Sequence, residues 1–87
     1  MEADRKDLSR RLASIEGHIG AIRRMVDEGT YCVDILKQTY AIERAVQRFE
    51  AELLRRHLST CVPSGFAEGR DREMVDELAT IFELSRK

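Results

Sequence analysis

The chain has 87 residues, a formal net charge of −1, 43% hydrophobic residues and 36% charged residues. This length allows one small domain, and the composition is typical of a soluble helical protein. No apolar run is long enough for a membrane span or a secretory signal, so we expect a cytoplasmic protein that does not engage a membrane.

The first predicted helix covers residues 5–28 and carries one apolar stripe. Apolar residues recur along it at alternating steps of four and three, which puts them on one helix face: Leu8, Leu12, Ile15, Ile19, Ile22 and Val26. Gly29 follows the stripe and is the predicted terminator. Gly17 and Gly20 lie inside this helix, where they mark either a close helix–helix approach or simple weak points.

The second predicted helix covers residues 30–62, with Thr30 as its N-cap. Neither glycine nor proline occurs between Gly29 and Pro63, so nothing interrupts the helix before Pro63, Ser64 and Gly65 end it. An apolar seam runs along its length: Ile35, Ile42, Val46, Phe49 and Leu53. One thin chain cannot cover so long a seam, which favours an antiparallel four-helix core formed by a homodimer.

The third predicted helix covers residues 70–84, with Asp71 and Glu73 in its first turn, where acidic groups suit the helix dipole. There is no strand pattern and no repeat. The sequence therefore predicts an all-α fold with three helices per chain, in a single domain of residues 1–87.

Three candidate metal ligands lie near the two ends of the second predicted helix. His57 and Cys61 are four residues apart, which on a helix places both side chains on one face, one turn apart. An imidazole nitrogen and a thiolate at that spacing can share a metal ion. Cys32 is at the other end, where a helix N-terminus favours the thiolate that soft metals bind. The alternative is that both cysteines are small buried hydrophobic residues.

The distance between these ligands predicts a site shared by two chains. Cys61 and Cys32 are 61 − 32 = 29 residues apart, which is about 43 Å in one continuous helix. In an antiparallel pair, Cys32 of one chain would meet His57 and Cys61 of the other, giving two equivalent sites. Two sulfurs and one nitrogen suit trigonal Cu(I), with zinc plus a water or carboxylate as the alternative. No catalytic motif occurs, so we do not expect an enzyme.

Three segments resemble the copper-sensitive operon repressor family, the CsoR/RcnR-like metal regulators. They are residues 11–25 (RLASIEGHIGAIRRM), 31–38 (YCVDILKQ) and 57–62 (HLSTCV), and the resemblance extends over about residues 7–84. It implies dimers that pair into tetramers, with Cu(I) held between protomers by Cys32 of one chain and His57 and Cys61 of the other. It also implies that Tyr31 and Glu77 hydrogen-bond the ligand histidine.

The same resemblance implies an apo form that binds operator DNA and represses a copper-efflux or detoxification gene until Cu(I) binds. Basic residues of the first two helices would form the DNA-binding surface, without a helix-turn-helix. Arg11 and Arg48 match basic positions of the family, and further phosphate contacts are predicted for four other residues: Arg5, Lys6, Arg10 and Arg44. Ala13, Ser14 and Gly20 stand where the family commonly has arginine, which predicts weaker and less salt-dependent DNA binding.

Other functions also fit parts of the sequence. A persulfide sensor of the same family would crosslink Cys32 and Cys61, although such relatives usually lack a histidine at the position of His57. A helical oligomerisation module would bury its cysteines and bind neither metal nor DNA. A thiol redox enzyme is disfavoured because there is no Cys-x-x-Cys pair. The other histidine, His18, is predicted to lie at the surface or in an interface with no metal role.

Overall fold

The computed structural model describes the backbone of residues 2–86 and the side chains of residues 4–86. Helix α1 spans Glu2–Asp27, α2 spans Cys32–Arg56, a π-helical turn spans His57–Cys61, α3 spans Val62–Ala67 and α4 spans Asp71–Ser85. Turns at residues 28–31 and 68–70 divide the chain into three helical segments, the second made of α2, the π turn and α3. The predicted all-α fold with three helical segments is confirmed, and residues 2–86 contain no strand.

The chain divides into two compact units, Met1–Leu53 and Leu54–Lys87, with the boundary inside α2. The first unit holds α1 and most of α2, and the second holds the end of α2, the π turn, α3 and α4. The single domain over residues 1–87 stays a prediction. Among the helices that the structure describes, none combines the length and the apolar character needed to cross a membrane.

Helix α1 ends in a Schellman motif centred on Gly29. The Thr30 amide donates to the Met25 carbonyl oxygen at 2.9 Å, and the Gly29 amide donates to the Val26 carbonyl oxygen at 3.1 Å. Gly29 has φ 73°, in the left-handed region that a residue without Cβ enters at no steric cost. Gly29 therefore ends the first helix, as predicted.

Helix α2 begins at Cys32, so the prediction of Thr30 as its N-cap is wrong. The Tyr31 carbonyl oxygen accepts from the amides of Asp34, at 3.0 Å, and Ile35, at 3.3 Å, which makes Tyr31 the capping position.

The second helical segment continues through Pro63, which the sequence pattern had predicted to end it. The Val62 amide donates to the carbonyl oxygen of His57, five residues earlier, and this longer bond produces the π turn. Pro63 then lies in the first turn of α3. A proline is tolerated there because the π turn before it has already replaced the regular α-helical hydrogen-bond register with a longer one.

The residue that does end this segment is Gly69, with φ 79°. The Arg70 amide donates to the Gly65 carbonyl oxygen at 2.8 Å, and the Gly69 amide donates to the Phe66 carbonyl oxygen at 3.1 Å, which is a second Schellman motif. The second helical segment is therefore longer than its predicted range of residues 30–62, and the third begins at Asp71, close to its predicted start.

Helices α3 and α4 pack together through Gly65. The Met74 side chain is 2% exposed, and a Cβ built on Gly65 would lie 2.6 Å from Met74 Cγ, well inside van der Waals contact. Gly65 therefore permits a close approach between the two helices. It does not end a helix, which corrects the sequence-based prediction.

Much of the predicted apolar stripe of α1 stays exposed in the single chain. Ile19 and Val26 of α1 remain 52% and 58% exposed, and Leu53 of α2 is also exposed. Of the residues that the structure describes, Val62, Gly65 and Met74 are the buried ones, and all three belong to the second unit.

Candidate metal centre and nucleic-acid interface

His57 and Cys61 are the first and last residues of the π turn. His57 is partly exposed, and Cys61 is an exposed free thiol. The hydroxyls of Ser59 and Thr60 donate to backbone carbonyl oxygens four residues earlier, at 2.8 and 2.7 Å. Such bonds to the preceding turn bend helices, and π turns occur frequently at functional sites. The two candidate ligands thus bracket an irregular turn of the backbone.

The His57 ring is held by a carboxylate of α4. Its Nε2 atom lies 3.1 Å from Oε1 of Glu77. With the proton on Nε2, the ring donates to this carboxylate, and the lone pair of Nδ1 remains free to bind a metal. Glu77 also belongs to an open acidic patch on the surface of α4, together with Glu73 and Asp76.

Cys32 and Tyr31 lie in the first unit. Cys32 is the first residue of α2, and its thiol is free and exposed. The Tyr31 side chain is 69% exposed. Within the described part of the chain, no three His, Cys, Asp or Glu side chains come together as a possible metal site. The structure thus brings His57 close to Glu77, and it assigns Cys32 to a different compact unit from His57 and Cys61.

Two of the predicted DNA-binding residues meet in one place. Arg11 of α1 and Arg48 of α2 line a groove of about 180 Å³, together with Ser14, Ile15 and Ala45; we call this the basic groove. Four further predicted residues do not line it, and they are exposed on the same two helices: Arg5, Lys6, Arg10 and Arg44.

An acidic residue that the sequence analysis did not single out forms an ion pair with an arginine of the basic groove. Nε of Arg11 donates to Oδ2 of Asp7 at 3.2 Å, one turn earlier on α1. The signal was present in the sequence, because an acid and an arginine four apart on a helix are neighbours. His18 of α1 lies 2.7 Å from the Gln38 side chain of α2, so in the structure it is a helix–helix contact.

Comparison with known proteins links this chain to metal-dependent regulators. A family model described as metal-sensitive transcriptional repressor matches residues 4–83. The copper-sensing transcriptional repressor CsoR of Mycobacterium ulcerans (strain Agy99) is 37% identical over 68 residues, which cover 78% of this chain and 58% of that protein. The chain thus spans less than two thirds of the length of this relative. The copper-sensing transcriptional repressor RicR of Mycobacterium tuberculosis (strain ATCC 25618 / H37Rv) is 37% identical over 81 residues, covering 90% of this chain and 84% of that protein.

A solved structure shares the fold over the whole chain. The copper-sensing repressor CsoR with Cu(I) from Geobacillus thermodenitrificans NG80-2 superposes with a TM-score of 0.94 at 31% sequence identity. The match covers 100% of this chain and 91% of that one. This is the same fold at an identity high enough to indicate common descent.

Proposed function

The chain belongs to the family of metal-sensitive transcriptional repressors, and we propose that it is a Cu(I)-responsive repressor whose apo form binds operator DNA. The observation that carries this proposal is its likeness to copper-sensing repressors, one of them solved with Cu(I), combined with free thiols and an imidazole at the positions predicted for the ligands. A repressor of this kind binds DNA and performs no catalysis, and it acts in the cytoplasm.

Cu(I) would be bound between two copies of the chain, by Cys32 of one and His57 and Cys61 of the other. The donor set suits this ion, because thiolates and imidazole are the soft and borderline ligands that Cu(I) prefers. Both thiols are free and exposed, so neither is committed to a core or a disulfide. Zinc is the alternative metal, and it would need a fourth ligand.

A homodimer or homotetramer is the proposed state of the protein. Long apolar side chains are exposed along both helices of the first unit, among them Ile19, Val26 and Leu53. A groove between α1 and α2, lined mainly by Ile19, Ile22 and Ile42, is also apolar. A second copy that covers these faces would remove this surface from water, which is the main driving force for such association.

The operator-binding surface would be formed by the basic groove and the exposed basic residues around it. Guanidinium groups of Arg11 and Arg48 on neighbouring helices can each pair with a DNA phosphate. Because Ser14 lines this groove at a position where the family commonly has arginine, we expect fewer phosphate contacts here and a smaller salt dependence.

Copper would weaken operator binding through the second unit. His57 is bonded to Glu77 of α4, so a change at the ligand histidine acts directly on the packing of that helix. A coupling of a few kcal/mol between the metal and DNA sites corresponds to about a hundredfold change in DNA affinity.

An anaerobic Cu(I) titration against a strong competing chelator tests this function, with DNA binding measured in parallel on a duplex that the apo protein selects from a random library. We expect one Cu(I) per chain and loss of DNA binding on saturation. Cys32→Ser should abolish copper uptake and leave apo DNA binding intact, whereas the neighbouring substitution Thr30→Ser should change neither. A full copper response in Cys32→Ser would contradict the proposed site.

The persulfide sensor predicts a different result in the same protein. Two exposed free thiols are also what such a sensor requires. Mass spectrometry after treatment with a sulfide donor would then find di-, tri- or tetrasulfide links between chains, with loss of DNA binding in the absence of copper. We expect copper, and not the sulfide donor, to release the DNA.

A further inference from the structure

Asp7 forms an ion pair with Arg11, one of the two arginines that line the basic groove. Its Oδ2 lies 3.2 Å from Nε of Arg11, and the two side chains are 34% and 41% exposed. Arg48, on the other wall of the groove, differs in this respect: among the described residues no carboxylate lies within ion-pair distance of it. The guanidinium group of Arg11 is thus already paired with a carboxylate, whereas that of Arg48 has no such partner in the part of the chain that the structure describes.

An exposed ion pair of this kind is weak enough to be exchanged. Pairs four residues apart on a helix contribute only a few tenths of a kcal/mol, because water and salt screen them. A DNA phosphate offers Arg11 a charge-assisted bond of the same type. When the phosphate arrives, however, the Asp7 carboxylate remains one helical turn away on the same face, and two negative charges then face one guanidinium.

We propose that Asp7 is an affinity-setting residue of the operator-binding surface, whose carboxylate competes with a DNA phosphate for Arg11. This inference rests on the proposed function, because it assigns a role to Asp7 only where Arg11 meets DNA. Asp7 partly neutralises Arg11 and so lowers the effective number of phosphates that each protomer neutralises. The result is a repressor with moderated affinity and a smaller salt dependence, from which an inducer can more readily displace the operator.

The opposite role makes the opposite prediction. If Asp7 served to hold Arg11 in a productive orientation, its removal would free the arginine side chain and weaken DNA binding. The sign of the change in affinity therefore distinguishes competition from positioning.

The test measures binding of the apo protein to the selected duplex at several KCl concentrations. For Asp7→Asn we expect about a twofold gain in affinity for each protomer that contacts the DNA, since that is the strength of one such pair. The plot of log affinity against log salt should become steeper by at most about 0.9 for each such protomer, because Asp7 neutralises Arg11 only in part. In the background Arg11→Ala, Asp7→Asn should have no more effect than the control substitution, because the group for which Asp7 competes is gone.

Glu83→Gln is the matched control, because it removes one negative charge from an exposed position on α4, in the other compact unit. An equal gain for Glu83→Gln and Asp7→Asn would show a general charge effect and overturn the inference, as would a loss of affinity in Asp7→Asn. If the unmodified protein selects no duplex from the library, the proposed function fails and this inference fails with it. If it selects one and releases it with copper, but Asp7→Asn matches the control, this inference alone is overturned.

Discussion

His57 has two ring nitrogens, and the fold uses one of them. Nε2 lies 3.1 Å from the Glu77 carboxylate, and this contact sets the orientation of the ring. With the proton on Nε2, the lone pair of Nδ1 is available to bind a metal. A carboxylate partner also makes the imidazole more basic and so a better metal ligand. Because the ring is already held in place, it loses less conformational entropy when the metal binds. The role of Glu77 in the proposed site is therefore to prepare His57, without binding the metal itself.

Replacing Glu77 tests this role. In Glu77→Ala we expect the Cu(I) affinity to fall by about 10–100-fold, the usual effect of removing a group that orients a metal ligand. We also expect saturating Cu(I) to release less DNA, because the bond between His57 and α4 is lost. The measurements are the chelator-competition titration and the DNA-binding assay.

Asp76→Ala is the control for this prediction, because Asp76 precedes Glu77 on α4 and belongs to the same acidic patch. A general loss of negative charge would affect both variants alike. If Glu77→Ala bound Cu(I) as tightly as Asp76→Ala does, the proposed orientation of His57 by Glu77 would be wrong.

At the scale of the elements, the segment from His57 to Gly69 differs most from a regular helix. A proline inside an α-helix clashes with the carbonyl group four residues earlier and removes one amide donor. The π turn before Pro63 changes the hydrogen-bond register there, from four residues to five, so that a new helix can start with Pro63 in its first turn. The candidate ligands His57 and Cys61 are the ends of this turn, so the same irregularity determines how they are presented.

Gly65→Ala tests the contact between α3 and α4. The added methyl group would overlap the buried Met74 side chain, and overpacking of this kind typically destabilises by about 1–3 kcal/mol. We expect a melting temperature lower by several degrees, measured by circular dichroism at fixed protein concentration. The double variant Gly65→Ala/Met74→Ala should remain less stable than the unmodified protein. The shorter Met74→Ala side chain removes the overlap, but it leaves a cavity in its place.

Gly17→Ala is the same substitution at a helical position where a Cβ meets no atom within 4 Å. It should leave the melting temperature unchanged or raise it, since alanine is favoured over glycine in a helix by about 1 kcal/mol. Equal destabilisation by the two substitutions would show that the close packing of Gly65 against Met74 is not the cause.

For the whole molecule, the most informative property is the apolar surface that one chain leaves in water. A stable domain usually buries the apolar face of each helix, yet α1 keeps Leu12, Ile19 and Val26 exposed, and α2 keeps Leu53 exposed. Full burial of an exposed side chain of this kind contributes about 1.5–3 kcal/mol, and because these side chains are already about half covered, an assembly would gain about half of that for each. An assembly that covers them would therefore be stabilised by a large hydrophobic contribution that the isolated chain lacks.

A charge placed in this surface should break the assembly. We expect the unmodified protein to sediment at two or four times the 10.0 kDa mass of the chain. Ile19→Glu should raise the dissociation constant at least about tenfold, because an unpaired carboxylate is costly to bury. Ser9→Glu, at an exposed position of the same helix, should leave the mass unchanged. A monomeric unmodified protein would contradict both the assembly and the shared metal site.

The sequence by itself determined the helical class, the apolar stripes, Gly29 as the end of α1 and the Cys…His-x3-Cys pattern. These depend on helical periodicity and on residue type, which are local properties. Its resemblance to a known family also indicated the regulatory class, which the match over residues 4–83 then showed. Glu77 was named only through that resemblance, since nothing in the spacing of residues 57 and 77 relates them.

Only the tertiary structure decided how distant residues meet. It showed Glu77 against His57, Arg11 and Arg48 in one groove, and Gly65 against Met74. It also decided that Pro63 lies in the first turn of a helix. The sequence around a proline does not show whether the preceding helix ends there or continues with a changed hydrogen-bond register. Such facts depend on contacts between elements, and periodicity within one element carries no information about them.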